Sequence, residues 1–461
     1  MLLKLIKGKS EIFNQLKTYA VSETLAKGLN WVLLLALPKL ISIENFGIIS
    51  LIIAFENLIL PISLNGQNVT ILRFFDRFKN HKNSFFKSIF KIFLKWNLII
   101  IPIILVISLI LYKSGTFIII IFSVPLLAYR EIILNYLRVI SDTKRYFKIR
   151  VSFQVLKFIF IVSLAFIYPE SHYIYPIGLL FAVIISVIQI FVFLKTEINF
   201  KLIKNSKDNL SKVFFLFGFP IIFHSLSNAV SMYINRYMIQ YFMDEHSVGV
   251  FSFAYSLSFS LFFILYIGSL IFQPLLYKSK KADAKSEKNL TIYTNGVFII
   301  ISVASIVLWF LFPYILQYYK SDYLKSESVF KTLILATLFI PFYHQGNYRL
   351  TLKNKTHLLP IASGIAAFFN IILNIILIPK IGIVGAAYST LISNIVIMLI
   401  TNIYSYNLFK LKNLVTIILL ISTSIIIILN HNYINYLMYF ISFIVFVSII
   451  EIFKNLRIKF K

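Results

Sequence analysis

The amino-acid sequence predicts an all-α integral membrane protein with about 14 transmembrane helices, and three features of the chain predict it. First, 59% of the 461 residues are hydrophobic and only 13% are charged, about half the charged fraction that is usual in soluble domains. Second, apolar runs of about 20 residues, the length that a helix needs to cross a bilayer, recur along the whole chain. Third, the basic residues concentrate in every second connection between these runs. This composition does not fit two large soluble domains.

The apolar runs are interpreted as helices, although several are rich in the β-branched residue isoleucine. Residues 99–111 and 417–429 would suggest buried strands in a soluble protein. In lipid, strands must close into a barrel, and barrel strands alternate polar and apolar residues, which these runs do not. The predicted helices are residues 18–38, 46–68, 92–111, 116–136, 151–168, 174–194, 213–243, 248–276, 291–312, 329–348, 358–378, 382–405, 413–430 and 434–453.

The basic residues predict how these helices are oriented. Of the 45 Lys and Arg residues, 35 lie in one alternating set of connections, which includes both termini, and six lie in the other set. Because cytoplasmic loops carry an excess of Lys and Arg, both termini are expected in the cytoplasm, with the chain in a bacterial inner membrane. A missed or spurious helix would break the alternation, so the charge pattern supports the number of helices independently.

Charge and motifs narrow the classes of function. A formal net charge of +28 would suggest nucleic-acid binding in a soluble protein. Here the basic residues lie between membrane spans, where they fit contacts with anionic lipid headgroups, so no nucleic-acid partner is expected. The chain has no Cys and no GxxxxGKS/T, HExxH or GxSxG motif. We therefore expect neither an enzyme nor a metal or other cofactor.

A short glycine-containing passage recurs along the chain and predicts a duplicated arrangement. The passages ENFGIIS and HSVGVFS contain Gly47 and Gly249, which are separated by the length of six predicted helices, and KIGIVGAAYS follows later. Many transporters use such repeats for alternating access. The predicted domains are an N-terminal lobe of helices 1–6, a C-terminal lobe of helices 7–12, and helices 13 and 14 with a basic cytoplasmic tail, which correspond to residues 1–195, 196–409 and 410–461.

Two cations inside predicted membrane spans are the first candidate binding residues. Lys27 lies midway along the first span and Arg236 lies in the seventh, so each occupies the first helix of its lobe. Such a charge costs roughly 2.5–3.5 kcal/mol at a helix centre on insertion scales, and it is usually retained for function. Two cations that face each other across the lobe interface would suit a diphosphate. For Arg236, the alternative is snorkelling of the guanidinium to the outer interface near Asp244.

Other polar residues in the predicted spans are expected to serve the structure. Arg130 and Glu131 are adjacent and should not share a helix face, and either could pair across helices as part of the structure. Lys157 is expected to snorkel, and Asn370 and Asn374, one turn apart, are typical of hydrogen bonding between helices. Aromatic residues expected in an interfacial belt at predicted outer helix ends include Tyr168, Tyr173 and Tyr175.

Several passages resemble one family of membrane proteins. Residues 370–393, NIILNIILIPKIGIVGAAYSTLIS, resemble the signature of helices eleven and twelve in polysaccharide transport proteins of the multidrug/oligosaccharidyl-lipid/polysaccharide exporter superfamily. Residues 41–55, 217–220 and 235–257 resemble its other landmarks in order and spacing, so the likeness covers nearly the whole chain. Members commonly carry Asp-Arg or Asp-Lys where this chain has Asn235–Arg236. The resemblance implies a two-lobed fold with a cationic central cavity.

The resemblance also implies a flippase for undecaprenyl-diphosphate-linked repeat units of O-antigen or capsule. Lys27 and Arg236 would neutralise the diphosphate, and the expected partners are membrane lipids and other polysaccharide assembly proteins. The polar side chains expected to contribute hydrogen bonds to the substrate are Asn30, Asn65, Gln67, Asn68, Asn228 and Asn235. Two alternatives are an ion-coupled drug exporter, which would favour buried carboxylates, and a membrane-embedded polysaccharide polymerase, which usually carries a sizeable outer loop.

Overall fold

In the part of the chain that the structure describes, every regular element is helical. The computed structural model describes residues 2–75, 82–112, 115–195, 210–277, 284–353 and 355–405. The α-helices in these ranges are α1 (Leu2–Leu40), α2 (Ile43–Leu64), α3 (Gln67–Phe74), α4 (Lys82–Tyr112), α5 (Gly115–Val139), α6 (Thr143–Ile167), α7 (Ile174–Lys195), α8 (Leu210–Phe242), α9 (Glu245–Tyr277), α10 (Ala284–Leu316), α11 (Glu327–Thr337), α12 (Ile340–Leu352), α13 (Leu358–Ile381) and α14 (Ile383–Ser405). A short 3-10 helix, Ser321–Ser326, precedes α11.

The chain is a multipass membrane protein. Among the described residues, ten helices are long and apolar enough to cross a membrane, and they correspond to ten of the first twelve predicted spans. Large apolar side chains such as Leu98 and Phe166 remain exposed on these helices, as expected where the surroundings are lipid tails rather than water. The predicted helices 413–430 and 434–453, and with them the predicted segment 410–461, lie outside the described residues.

The predicted tenth span, 329–348, consists of two helices rather than one. Helix α11 ends at Thr337 and α12 begins at Ile340, with Pro341 in the first turn of α12. Proline has no backbone N–H to donate to the carbonyl four residues earlier, and its ring clashes with that carbonyl. The proline therefore fits the start of a new helix and interrupts the span that its apolar composition suggested.

The predicted second span, 46–68, ends earlier than its composition suggested. Asn65 and Gly66 adopt left-handed backbone conformations, with φ of 48° and 62°, and end helix α2 before the short helix α3 begins. Carbonyl groups in the last turn of a helix lack partners within that helix. Trp96 of α4 donates to the carbonyl of Ile62 at 2.7 Å, and Asn97 donates to that of Ser63 at 3.1 Å. These hydrogen bonds from α4 satisfy carbonyl groups in the last turn of α2.

The chain forms two compact units, Met1–Ala229 and Val230–Lys461, and the boundary falls within α8. In the first unit, α6 packs against α1 and α7, while α5 packs against α2 and α7. In the second unit, α14 packs against α11, α12 and α13. Gly385 permits the close approach of α14 to α13, because a Cβ there would lie 2.6 Å from the carbonyl carbon of Leu377. The three predicted sequence domains remain a prediction.

Helices α2 and α9 begin in the same way. The side chain of Ser42 accepts a hydrogen bond from the backbone of Asn45 at the start of α2, and Asp244 accepts one from the backbone of Ser247 at the start of α9. Such N-caps satisfy backbone donors that have no partner in the first helical turn. The hydrogen bonds from Ser247 hold the pKa of the Asp244 carboxyl below its usual value. Gly47 and Gly249, the glycines of the repeated passage, each lie four residues after the first residue of the helix.

Candidate functional site

A partly buried network of ion pairs centres on Glu23 of α1, in the first unit. Arg150 of α6 reaches both carboxylate oxygens of Glu23, with Nε 2.9 Å from Oε1 and Nη2 3.0 Å from Oε2. The hydroxyl of Tyr146 also donates to Oε1 of Glu23, at 2.5 Å. On its other side, Arg150 donates from Nη1 to Glu131 of α5 at 2.8 Å, and Arg130 donates to the same Glu131 oxygen at 2.7 Å. Three helices of the first unit are thus joined by charged groups.

Arg130 and Glu131 were expected not to share a helix face, but the structure pairs them directly. Adjacent residues point away from each other at Cβ, but their side chains are long enough to curve back and meet. The guanidinium of Arg130 lies 4.0 Å from the ring centre of Phe153 on α6, which holds it over an aromatic face. Glu131 also pairs across helices, with Arg150.

Lys27, the first predicted site residue, belongs to this network. It lies one turn after Glu23 on α1, is half-buried, and interacts electrostatically with Glu23, Arg150 and Glu131. We call Glu23, Lys27, Arg130, Glu131, Tyr146 and Arg150 the Glu23 network. The network contains three cations, which are Lys27, Arg130 and Arg150, and two carboxylates, which are Glu23 and Glu131. Among the described residues it therefore carries one excess positive charge.

A second polar cluster of the first unit surrounds Lys157 of α6. The ammonium Nζ donates to the hydroxyl of Tyr175 on α7 at 3.0 Å and to Oδ1 of Asn30 on α1 at 3.3 Å. The Tyr175 hydroxyl donates in turn to Glu56 Oε2 on α2 at 2.8 Å. Lys157 is 6% exposed and Tyr175 is 2% exposed. The snorkelling expected of Lys157 is therefore wrong, because buried oxygen atoms hold the ammonium in place. Tyr175 lies at the start of α7, as predicted, but its side chain is buried rather than exposed at a belt.

Asn30, a predicted site residue, is part of this Lys157 cluster, which comprises Asn30, Glu56, Lys157 and Tyr175. Its Oδ1 accepts from Lys157 and, at 3.4 Å, from Gln154 of α6. Two donors on α6 thus occupy the amide oxygen of Asn30. The remaining capacity of this side chain is its amide NH₂, which suits an acceptor on a ligand.

Three predicted site residues lie together at the break between α2 and α3. Asn65 is buried and Asn68 is half-buried. Gln67 is fully buried, and its amide, oriented to satisfy both ends, donates to the carbonyl of Ile89 and accepts from the N–H of Phe93, each at 3.2 Å. Gln67 therefore ties α3 to the backbone of α4. Asn228, the predicted site residue on α8, is half-buried and lies 3.3 Å from His224 Nε2 on the same helix.

Arg236 of α8 lies in the interior of the second unit, where it is 5% exposed. Its guanidinium carbon is 4.6 Å from the ring centre of Tyr255 on α9 and 5.4 Å from that of Tyr233. Nη1 donates to the carbonyl of Met232 at 3.3 Å, while Nε has no hydrogen-bond partner. Among the described residues, no carboxylate lies within ion-pair distance of Arg236. The guanidinium is enclosed by tyrosines and does not extend to the surface as snorkelling requires.

Asn235, next to Arg236, is held by the other helices of the second unit. It donates to Thr390 Oγ1 of α14 at 2.6 Å and accepts from Asn374 Nδ2 of α13 at 2.8 Å. Asn374 also donates to Oδ1 of Asn370 at 3.0 Å. The interhelical hydrogen bonding predicted for Asn374 is confirmed. Asn235 and Arg236 therefore occupy different surroundings: an amide network for Asn235 and an aromatic enclosure for Arg236.

The sequence interpretation missed the carboxylates and tyrosines of the first unit as partners of the candidate residues. Glu23 and Lys27 are four residues apart on one helix, a spacing that places both side chains on one face. This spacing could have indicated Glu23 as a partner of Lys27. Arg150 was counted only as a basic residue of a cytoplasmic connection. Its contact with Glu23 spans 127 positions along the chain, and no local pattern indicates such a pairing.

Comparison with known proteins decides the family. A family model described as polysaccharide biosynthesis protein matches residues 16–278, more than half of the chain. The chain belongs to this family. Among curated proteins, none matches the chain in sequence.

Several solved structures of membrane transporters share the fold of this chain. The lipid II flippase MurJ in an inward closed conformation is 17% identical, with a TM-score of 0.65, and the match covers 94% of this chain and 98% of MurJ. An outward-facing multidrug resistance transporter of the MATE family is 14% identical, with a TM-score of 0.59 and coverage of 85% and 94%. A transporter of the MOP superfamily from Pyrococcus furiosus, for which a reversed polarity of the binding pocket is described, is 15% identical with the same TM-score and coverage. The family model bears out the resemblance to a family of polysaccharide proteins, and these solved structures share the fold of this chain.

Proposed function

We propose that this polysaccharide biosynthesis protein is a flippase that moves undecaprenyl-diphosphate-linked oligosaccharide, an O-antigen or capsule repeat unit, across the bacterial inner membrane. The observation that carries the proposal is Arg236, a buried cation without a carboxylate partner among the described residues. The membership of the chain in a polysaccharide biosynthesis family and its shared fold with a lipid II flippase support a lipid-linked sugar as the cargo.

Arg236 favours an anionic ligand for an electrostatic reason. Burying an ion costs several kcal/mol unless an opposite charge or strong hydrogen bonds compensate, and aromatic faces compensate only in part. A phosphate would supply the missing charge and could accept two parallel N–H donors of the guanidinium. In this proposal, binding of the diphosphate satisfies a group that the protein alone leaves incompletely paired.

The charge of the first unit favours the same class of ligand. The Glu23 network holds one excess positive charge, and Arg236 contributes another in the second unit. Each phosphate of a diphosphate that joins a lipid to a sugar carries one negative charge. In the proposal, Lys27 and Arg236 are the candidate cations for the diphosphate, and the polyprenyl tail stays in lipid, where its apolar carbons are already out of water.

The polar side chains have different proposed roles according to their surroundings. Asn30, Asn68 and Asn228 are half-buried and are the proposed hydrogen-bond partners of sugar hydroxyls. Asn65, Gln67 and Asn235 are buried, and we propose that they position the helices of the site and do not contact the substrate directly.

The alternatives fit the described residues less well. An exporter of cationic drugs needs carboxylates that are available to a cation, but Glu23 and Glu131 pair with arginines, and Glu56 is bonded to Tyr175 beside Lys157. A polysaccharide polymerase usually needs a sizeable outer loop. Among the predicted outer connections that the structure describes, the longest is residues 317–326, between α10 and α11.

The cellular test of the proposal is deletion of the gene. Surface polysaccharide should be lost while undecaprenyl-linked repeat units accumulate with their sugars facing the cytoplasm. Accumulation of single repeat units on the outer face would contradict the proposal and indicate a polymerase. Loss of drug resistance with normal surface polysaccharide would indicate an exporter.

A further inference from the structure

The Lys157 cluster has the geometry of a binding site for an ammonium ion. Oxygen atoms from two other helices contact Nζ directly: Tyr175 Oη at 3.0 Å and Asn30 Oδ1 at 3.3 Å. A third helix contributes the carboxylate of Glu56, which accepts from the Tyr175 hydroxyl at 2.8 Å. Nζ also lies 4.9 Å from the centre of the Tyr175 ring. We call the oxygen atoms of Asn30, Glu56 and Tyr175 the ammonium seat.

The seat is buried and its charges balance. Glu56 is 8% exposed, and its electrostatic interaction with Lys157 is the main attraction on that ammonium, which Arg130 of α5 repels. Among the described residues, no cation lies within 4.0 Å of the Glu56 carboxylate, so the Tyr175 hydroxyl bridges the two opposite charges. An uncompensated carboxylate at this depth would be strongly unfavourable. Lys157 is therefore the counter-ion of Glu56.

The distances in the seat suit an ammonium ion better than a metal ion. The contacts to Nζ are 3.0 and 3.3 Å, which are N–H···O hydrogen-bond lengths. Metal–oxygen distances are shorter, about 2.0–2.6 Å for Mg²⁺ and Ca²⁺, and these ions take six or more oxygen ligands. The seat offers fewer oxygens, and each lies at a distance that suits an N–H donor.

We propose that the ammonium seat is a binding site for a small primary ammonium ion, and that the native chain fills it with its own Lys157. The helix α6 supplies the cation on a flexible stem, while α1, α2 and α7 supply the oxygen atoms. Because the cation is covalently attached, it balances Glu56 without exchange with the solution. Removal of the lysine side chain leaves the seat able to bind a free ammonium ion. This inference is independent of the substrate proposed above.

The test replaces the tethered cation by a free one. Lys157→Ala is produced and purified in methylammonium chloride, and its thermal unfolding is then measured in methylammonium chloride or in choline chloride at equal ionic strength. Choline is a cation without N–H donors, so it screens charge without filling the seat. We expect a melting temperature roughly 3–5 °C below that of the native protein in choline, because Glu56 is left unpaired. Methylammonium should restore it along a saturable curve, since the ligand binds only the folded state.

Three control variants define what the rescue depends on. Lys148→Ala, which removes an exposed lysine of the same helix, should melt at the same temperature in both salts. Lys157→Ala with Tyr175→Phe should lose the rescue, because one seat oxygen is gone. Lys157→Ala with Glu56→Gln should not need methylammonium, because no buried charge remains to be balanced.

Several outcomes would overturn the proposal. Equal, low melting temperatures of Lys157→Ala in the two salts would show that methylammonium does not bind at the ammonium seat. An equal rise of the melting temperature in choline would show that the salt acts only by screening charge. Rescue that survives Tyr175→Phe would place the ion elsewhere. Failure of Lys157→Ala to accumulate even when methylammonium is present throughout would also overturn it, because a filled seat should restore the fold.

Discussion

The guanidinium of Arg236 lies 4.6 Å from the ring centre of Tyr255, in the interior of the second unit. Helix α8 supplies the cation and α9 supplies the ring. The ring centre of Tyr233, also on α8, lies 5.4 Å from the guanidinium. A cation over an aromatic face is stabilised by roughly 0.5–2 kcal/mol, which is less than burial of a charge costs. Arg236 is therefore buried beside aromatic rings without a neutralising negative charge. In the proposal, the anionic ligand supplies that charge.

Replacement of Arg236 tests its role in substrate binding. Arg236→Ala should abolish surface polysaccharide while the protein remains in the membrane, because removal of a buried charge relieves an insertion penalty of roughly 2.5–3.5 kcal/mol. Arg236→Lys should keep partial activity, since the charge remains but the fork of donors is lost. Surface polysaccharide and membrane protein level are measured together, with Arg145→Ala, a partly exposed arginine paired with Asp142, as the control. Normal polysaccharide in Arg236→Ala cells at native protein level would remove Arg236 from the site.

The Glu23 network is predicted to stabilise the first unit. Glu23→Gln should destabilise the protein by about 1–3 kcal/mol, because the half-buried guanidinium of Arg150 loses one of its two carboxylate partners. The double variant Glu23→Gln with Arg150→Met should recover most of this loss, since Arg130 and Glu131 remain paired. Unfolding of the purified variants in denaturant or heat measures the difference. A double variant that is as unstable as the sum of its two single variants would show that the two groups do not interact.

The crossing of Gly66 and Gly218 is predicted to tolerate no side chain. A Cβ on Gly66 would lie 2.4 Å from the carbonyl oxygen of Gly218, and one on Gly218 would lie 2.6 Å from the carbonyl oxygen of Asn65. Gly66 also has a φ of +62°, which disfavours any L side chain. Gly66→Ala and Gly218→Ala should therefore both reduce the amount of folded protein sharply.

Two other glycines provide matched controls for this crossing. Nothing lies within 4 Å of a Cβ built at Gly296 or Gly364, both in helices. Alanine at these positions should be neutral or stabilise by up to about 1 kcal/mol, because alanine favours the helix. Folded yield by size-exclusion chromatography is the measurement. Equal yields for all four alanine variants would show that the Gly66–Gly218 contact does not constrain the fold.

The predicted orientation can be tested with single cysteines, because the native chain has none. Glu170 and Lys355 are both exposed and lie at connections predicted on opposite sides of the membrane. Cysteine at position 170 should react with an impermeant maleimide added to intact cells, whereas cysteine at 355 should react only after the cells are opened. The reverse pattern would contradict the predicted orientation, and labelling of both in intact cells would contradict the alternation of connections.

The helices could be predicted from the sequence because hydropathy is a local property of the chain. The break between α11 and α12 was not predicted, because a proline alone does not indicate one: Pro341 lies at the break, whereas Pro102 and Pro125 lie inside unbroken helices. The partners of the polar residues could not be read in this way. Asn235 and Arg236 are adjacent in sequence, yet one contacts α13 and α14 while the other contacts α9. Glu56 and Lys157 meet through Tyr175 only because three helices pack together, and that packing is not encoded in any short pattern.

Flipping by the purified protein tests the central claim most directly. Liposomes are prepared with a labelled polyprenyl-diphosphate-linked oligosaccharide in both leaflets, and an impermeant glycosidase then digests the sugars that face outward. Liposomes that contain the native protein should lose nearly all of the labelled sugar, because inner-leaflet lipid is moved outward. Protein-free liposomes and those with Arg236→Ala should lose only about the outer half. If the glycosidase removes only about half of the labelled sugar from liposomes that contain the native protein, as it does from protein-free liposomes, the account is contradicted.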